Sequence, residues 1–489
     1  MKRIADLRGL AAALLLTIAA VAVHADDDSS NRYEVKFGRK LTYRGGGVNV
    51  DNRFGDVTIK THPGNDVVVR AVIRASTPEL GQQIRIHADE SAGGVKIRSE
   101  FPSGNIVNAS FSVDFDIEMP ANAPLDLSNR FGNVSVTGLN QASQITNGMG
   151  SVRLRDAGGK QTVENSFGSI DVEGVTGDLV VRNNNGNVRV KTAGGSVDVN
   201  NRFATVTLED VKRNAVVRNS NGSVDVRQVG GTASVVNSFA GVSVQNVTGT
   251  VDITNGNGRV DARTIGNKTT IKNSFASVSA HDIGGALIVT SNNSRVEAEN
   301  VRGQAAVTTS FAGVDVRNIG GTTTITNNNG TISAQDIRGG LNAKTRFASV
   351  RAERIQTDVD VDNGNGSVTL KDIGGAARVR TSFASVFVED ISGGVNVENQ
   401  NGGISVKGFR GNGCHPTILK TSFSSIRVGL PSAQSGYAVN ARTSFGRINT
   451  AFPVTTTTVS DETLIGTIGN GQCRLELVNS NGSITIEKD

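Results

Sequence analysis

Tryptophan is absent from the 489 residues, tyrosine appears three times, and aromatics make up 4% of the chain. So few rings cannot build a thick globular core, because aromatic side chains dominate the area that such cores bury. They also offer no set of Trp or Tyr platforms for stacking sugars. Prolines number eight and cysteines two, against 58 glycines. That balance suits short strands joined by many tight turns, as in a thin β-solenoid whose coils each need only a few inward aliphatic residues. The four histidines beyond the N-terminal leader, His62, His87, His281 and His415, are scattered without metal-ligand spacing and read as ordinary surface residues. No Gly-rich phosphate loop precedes a helix, and no helical period is evident after the leader. Residues 1–25 read as a secretory signal peptide, with Lys2, Arg3 and Arg8 before an apolar run at 10–23 and Val23-His24-Ala25 as the cleavage site. The run is shorter than the roughly 20 residues of a membrane span, although an uncleaved anchor helix is the competing reading, and no later segment could cross a membrane as a helix. Without residues 1–25, 47 basic and 44 acidic residues remain. Their alternation along strands leaves no concentrated basic face for nucleic acid.

What is present is a repeat. From Phe131 to Asn401 one position recurs every 18 residues without insertion, filled alternately by Phe (Phe167, Phe203, Phe239) and by Asn before Gly (Asn221, Asn257, Asn329), with Met149 as the exception. A fixed period sustained this long marks a solenoid, whose units bury their apolar faces only against each other. Counting from this column, position +3 is always Val or Ile, +5 is Val, Leu or Ala, and +8 is apolar, as in Val152, Leu154 and Val175. Positions +3 and +5 share one strand face. The change of parity at +8 implies a corner near +7, and Gly-Gly at +9 and +10 a further turn. Position +14 returns inward, giving about three short strands and three turns per coil. The Asp and Asn residues common at +7 lack the glycine-rich calcium-binding frame and read as turn residues.

Two positions before the column, Asn recurs in nine successive coils: Asn129, Asn147, Asn165, Asn183, Asn201, Asn219, Asn237, Asn255 and Asn273. Coils about 4.8 Å apart would let these amides hydrogen-bond to their equivalents above and below, so they are expected to form a structural Asn ladder. Turn geometry alone is the rival explanation. Parity then puts the Phe column in the corner of the core. The alternative is an exposed apolar stripe for adhesion or self-association. Sixteen coils at that rise make a rod roughly 75 Å long.

The resulting expectation is an all-β, single-stranded β-solenoid, right-handed by the general crossover preference, with β-rich caps at both ends. Its divisions are the signal peptide (1–25), an N-terminal β-rich cap (26–127), the repeat body (128–411) and a C-terminal cap (412–489). Within the first cap, Asn52-Arg53-Phe54-Gly55 falls out of phase with the column. Cys414 and Cys473 precede similar apolar strands and are candidates for a disulfide, which an exported protein permits.

Three stretches carry a family resemblance: Asp116-Ile117-Glu118-Met119-Pro120 leading to Leu125-Asp126-Leu127, the recurring Ser-Phe-Ala-Ser-Val and Asn-Gly-x-Val units, and the ending from Leu475 to Ile486. In these the chain resembles the bacterial putative adhesin family, exported β-strand-repeat proteins of unknown function. The resemblance implies no catalytic residues. A repeat without insertions also supplies no long loops to wall a cleft. The expectation is a non-enzymatic, exported protein, periplasmic, at the cell surface or extracellular, acting as adhesin or envelope scaffold. Its partners would be cell-surface or envelope components or the chain itself, and it would need no cofactor or metal. A self-assembling bactofilin-like filament and a β-helix carbohydrate-active enzyme are the competing readings.

Overall fold

A computed structural model describes residues 33–103, 109–432 and 436–489, so the signal-peptide reading lies outside the described residues. Two parallel sheets run the length of the molecule, and each coil contributes one strand to each. One sheet stacks Leu125–Phe131, Ser143–Met149, Gln161–Phe167 and their successors. The other stacks Val134–Thr137, Val152–Ala157, Ile170–Val175 and theirs. Every pairing in the body joins residues 18 apart, for example Val163 with Val181 and Val172 with Val190. The period in the sequence is therefore the rise of one coil.

The inward residues explain this arrangement. One strand sends in +3, +5 and +8, and the other sends in +12, +14 and the Asn position. Val206, Leu208 and Val211 are buried from one sheet, and Val197, Val199 and Asn201 from the other. These β-branched and aliphatic side chains pack well on a pleated surface, and no larger residue is needed between two sheets about 10 Å apart.

Two strands per coil, rather than three, is a correction to the expected count. The parity change at +8 is absorbed inside the second strand, where the +7 residue takes left-handed φ: Asp156 50°, Asp210 58°, Asn246 56°, Asp390 61°. The ladder skips this residue, pairing Arg155 with Glu173 and then Ala157 with Val175. Asp and Asn tolerate that conformation at lower cost than other side chains, so the chain kinks without ending the strand.

Both ends depart from chain order. Strands Gly47–Phe54 and Val57–His62 form a coil directly beneath Leu125–Phe131 and Val134–Thr137. Asn52 pairs with Asn129 and Phe54 with Phe131. The stretch that is out of phase in sequence is thus in register in space. Between these coils the chain passes through antiparallel strands and one short helix, Pro78–Gly81, capped by Thr77. At the other end Cys473–Val478 inserts between Thr417–Lys420 and Tyr437–Arg442. The antiparallel strands Thr463–Ile468 and Thr455–Val459 complete that sheet. Such strands blunt the open ends of a solenoid.

Candidate interaction surface

The Asn column lies buried at the edge where the first strand folds back into the second. Asn255 is 2% exposed, and its Nδ2 donates to the carbonyl of Ala240 in the preceding coil (3.2 Å) and of Gly258 in its own (2.9 Å). Asn165, Asn183 and Asn219 repeat this pair of bonds. In Asn201, Asn237 and Asn273 the amide instead donates to two carbonyls of its own turn. An amide-to-amide bond links Asn129 to Asn147 at 3.2 Å. The buried amides therefore chiefly satisfy turn carbonyls that have no partner in the sheet ladders. Farther along, Thr309 and Thr345 hydroxyls bond the equivalent carbonyls.

With the corner filled by these amides, the Phe column lies outside it, and the corner reading of the rings is overturned. Phe167 is 51% exposed, Phe239 52%, Phe311 65% and Phe445 77%. The turn into the second strand occupies +1 and +2, so the column residue stands at the fold-back edge with no strand across from it. Parity counted through the Asn position treats the strand as though it still faced a partner sheet there.

The position after the column alternates too. From Phe203 to Phe383 Ala follows each Phe, and Gly follows most of the Asn residues. A Cβ on Gly258 would overlap the Ala240 carbonyl oxygen of the coil below, so this glycine is required by close approach of two backbones. Gly258→Ala is expected to destabilise the protein by about 1–3 kcal/mol through overpacking. An unchanged urea midpoint would contradict that.

In space the alternation continues beyond the regular body. Phe423 pairs with Asn481, and the strand that precedes Asn481 lies between those that precede Phe423 and Phe445. The order along the edge is Phe423, Asn481, Phe445, although the chain visits 445 before 481. At the N-terminal end the pattern differs: Phe54 and Phe131 occupy adjacent levels and stack at 5.1 Å with planes 7° apart. Phe101 and Phe111 pack edge-on against Phe54 at 5.1 and 5.0 Å and cover it.

The outer sheet faces are polar and laced with ion pairs between coils. Arg182 meets Glu164 at 2.8 Å, and Arg354 grips Asp336 at 2.6 and 3.0 Å. The Arg354 hydrogen bonds hold the Asp336 carboxyl below its usual range. The Lys407 bond, aided by Lys371, does the same for Glu389. At +7 a second, exposed ladder runs from Asp282 to Asn300 (2.9 Å) and on to Asn318 (2.7 Å). Exposed pairs of this kind add little stability each, so they define a mixed, solvated surface.

The residue types of a hydrolytic triad meet on that surface at Ser279, His281 and Glu299. Ser279 Oγ lies 2.7 Å from His281 Nε2, and His281 Nδ1 lies 3.4 Å from Glu299. Ser279 is only 4% exposed, and its strand is paired on both sides within a continuous sheet. The arrangement has neither room for a substrate nor free backbone donors for an oxyanion. His415 is a correction to the reading of the histidines as surface residues. It is 2% exposed and packs on Phe409 at 5.1 Å. Its neighbour Cys414 is bonded to Cys473, with Cα atoms 5.4 Å apart. Burial pushes the Tyr437 hydroxyl up to about 12. Among the described residues no group of three His, Cys, Asp or Glu side chains could hold a metal ion, and no helix is long and apolar enough to cross a membrane.

Residues 315–487 match the family model described as Toastrack DUF4097. That span includes the Leu475-to-Ile486 ending and the later ring coils, so the C-terminal part of the chain is similar to that family of unknown function. A solved structure of a putative cell adhesion protein from Clostridium sporogenes ATCC 15579 aligns at 11% identity over 46% of this chain and 100% of that one, with a TM-score of 0.18. An overlap that loose carries no argument about fold or function. No curated protein matches the chain.

Proposed function

We propose that the protein is a non-enzymatic, exported repeat rod of the cell envelope or surface, which holds extended polar sheet faces toward its partners. The observation that carries this reading is the uninterrupted register of the body. Every coil has the same two strands and the same turns, so the molecule offers long repetitive faces instead of a walled cleft. Surfaces of this kind suit contact with other extended surfaces, as in other solenoids. The match to an adhesin-like repeat family supports it, and the disulfide is compatible with an oxidising compartment.

The test is fractionation of cells expressing the full chain, followed by pull-down with residues 26–489 as bait in envelope extracts. The expected result is export and retention of envelope material. A chain found in the cytoplasm, or a bait that retains nothing from the envelope, would overturn the proposal.

A further inference from the structure

We infer that the ring edge is the seam of a closed homodimer, in which the phenylalanines of one rod enter the Asn-Gly gaps of a second, antiparallel copy. From Phe167 to Phe445 the rings stand two coils apart, about 9.6 Å from one to the next. A ring inserted between two of them would lie about 4.8 Å from each, within the 4.5–7 Å range of favourable aromatic pairs. The protein already contains that filled arrangement: at adjacent levels Phe54 and Phe131 stack at 5.1 Å, with Phe101 and Phe111 covering Phe54. Beyond Met149 every second level lacks a ring, and no second aromatic ring covers those that remain, although the Arg202 guanidinium lies over Phe203 at 5.5 Å.

A second copy fits these gaps because its rings have the same period, and so stay in step over the full column of roughly 80 Å. A two-fold axis along the rods would set ring against ring at equal height. An axis across them can set eight of the nine rings against an Asn level, with Phe311 opposite Asn293 of the other copy and Phe167 opposite Asn481, while Phe445 meets the exposed Met149. The alternation also persists through the out-of-order coil at Asn481. The spatial edge thus keeps it where the chain order does not. Residues beside the rings are mostly Ser, Ala and Gly, with no carboxylate among them, and the arginines there, Arg202, Arg346 and Arg447, can keep their charged ends in water or lie on a ring face as Arg202 does on Phe203. With about half of each ring exposed, nine rings offer roughly 1,000 Å² per copy, the area of a standard stable interface. Both ends carry antiparallel strands, which favours association along the edge over end-to-end growth.

The seam stands apart from the envelope role, and a separate measurement tests it. Sedimentation of residues 26–489 at micromolar concentration is expected to show a dimer. Small-angle scattering should give a maximum dimension close to that of one rod. The triple variant Phe239→Ser, Phe275→Ser, Phe311→Ser is expected to weaken self-association by at least about tenfold, since central aromatic anchors carry most interface energy. Its far-UV circular dichroism should be unchanged, as should its unfolding midpoint at dilutions where the wild type is also monomeric, because the rings are exposed in the single rod. A wild type that stays monomeric, a variant that stays dimeric, or a dimer twice the length of one rod would each overturn the inference. A monomeric wild type whose envelope binding is lost with the rings would assign the edge to a foreign partner and equally overturn it.

Discussion

Replacing Cys414 and Cys473 together by alanine is expected to free the C-terminal coils, with a loss of about 4 kcal/mol in their local stability. The bond closes a sequence separation of 59 residues, and a loop of that size raises the free energy of the unfolded ensemble by about this much through lost chain entropy. Its placement increases the consequence. Cys473 begins the strand that inserts out of chain order between Thr417–Lys420 and Tyr437–Arg442. Without the cross-link, only its packing and its two ladders hold that strand in its slot. A solenoid gains stability coil by coil from its neighbours, so the loss should stay near the C-terminal end and leave the centre of the rod intact. Hydrogen exchange is the appropriate measurement. Amides of residues 417–486 are expected to exchange faster in the double variant, while those of residues 188–265 keep their protection. Unchanged protection at both places would show that packing alone holds the strand.

The second large effect is expected at the buried amides. Asn255→Ala removes both donors from the Ala240 and Gly258 carbonyls and leaves a small void in the corner. Stranding a buried acceptor costs about 1–3 kcal/mol, so the substitution should destabilise the protein by about 2–4 kcal/mol. Asn257→Ala, two residues away on the exposed edge, is the internal control and should fall within about 0.5 kcal/mol of wild type. The pair is decided by urea unfolding. If Asn255→Ala unfolds with the wild-type midpoint, the column is merely a preference for turn residues and the amides hold nothing together. If both variants are equally destabilised, the separation between the buried and exposed Asn positions is wrong.

The two Asn columns show how far single residues could be read. Asn255 and Asn257 are the same residue type, two apart, and their parity is equal. Period and parity place both on the inner face. What separates them is the fold-back between 257 and the strand at Val260–Ile265, where the facing sheet no longer covers the chain. The same limit applies to Phe275, whose parity points inward and whose ring is half exposed. At +7 the sequence carried a better signal, because Asp and Asn are the residue types that accept left-handed φ. The kink at Asp210 and Asn246 could therefore be placed, though not its inclusion within a continuous strand.

By itself the sequence determined the coil length, the residues that point into the core at +3, +5, +8 and +14, and the all-β class. These follow from local rules, strand alternation and turn chemistry, repeated until their period is unambiguous. Only the tertiary structure decided which levels are neighbours at the two ends, where Phe54 joins Phe131 and Asn481 comes between Phe423 and Phe445. It also decided that the rings face solvent. Both outcomes depend on which backbone lies across from a residue, and that is a relation between coils which no single stretch of chain contains.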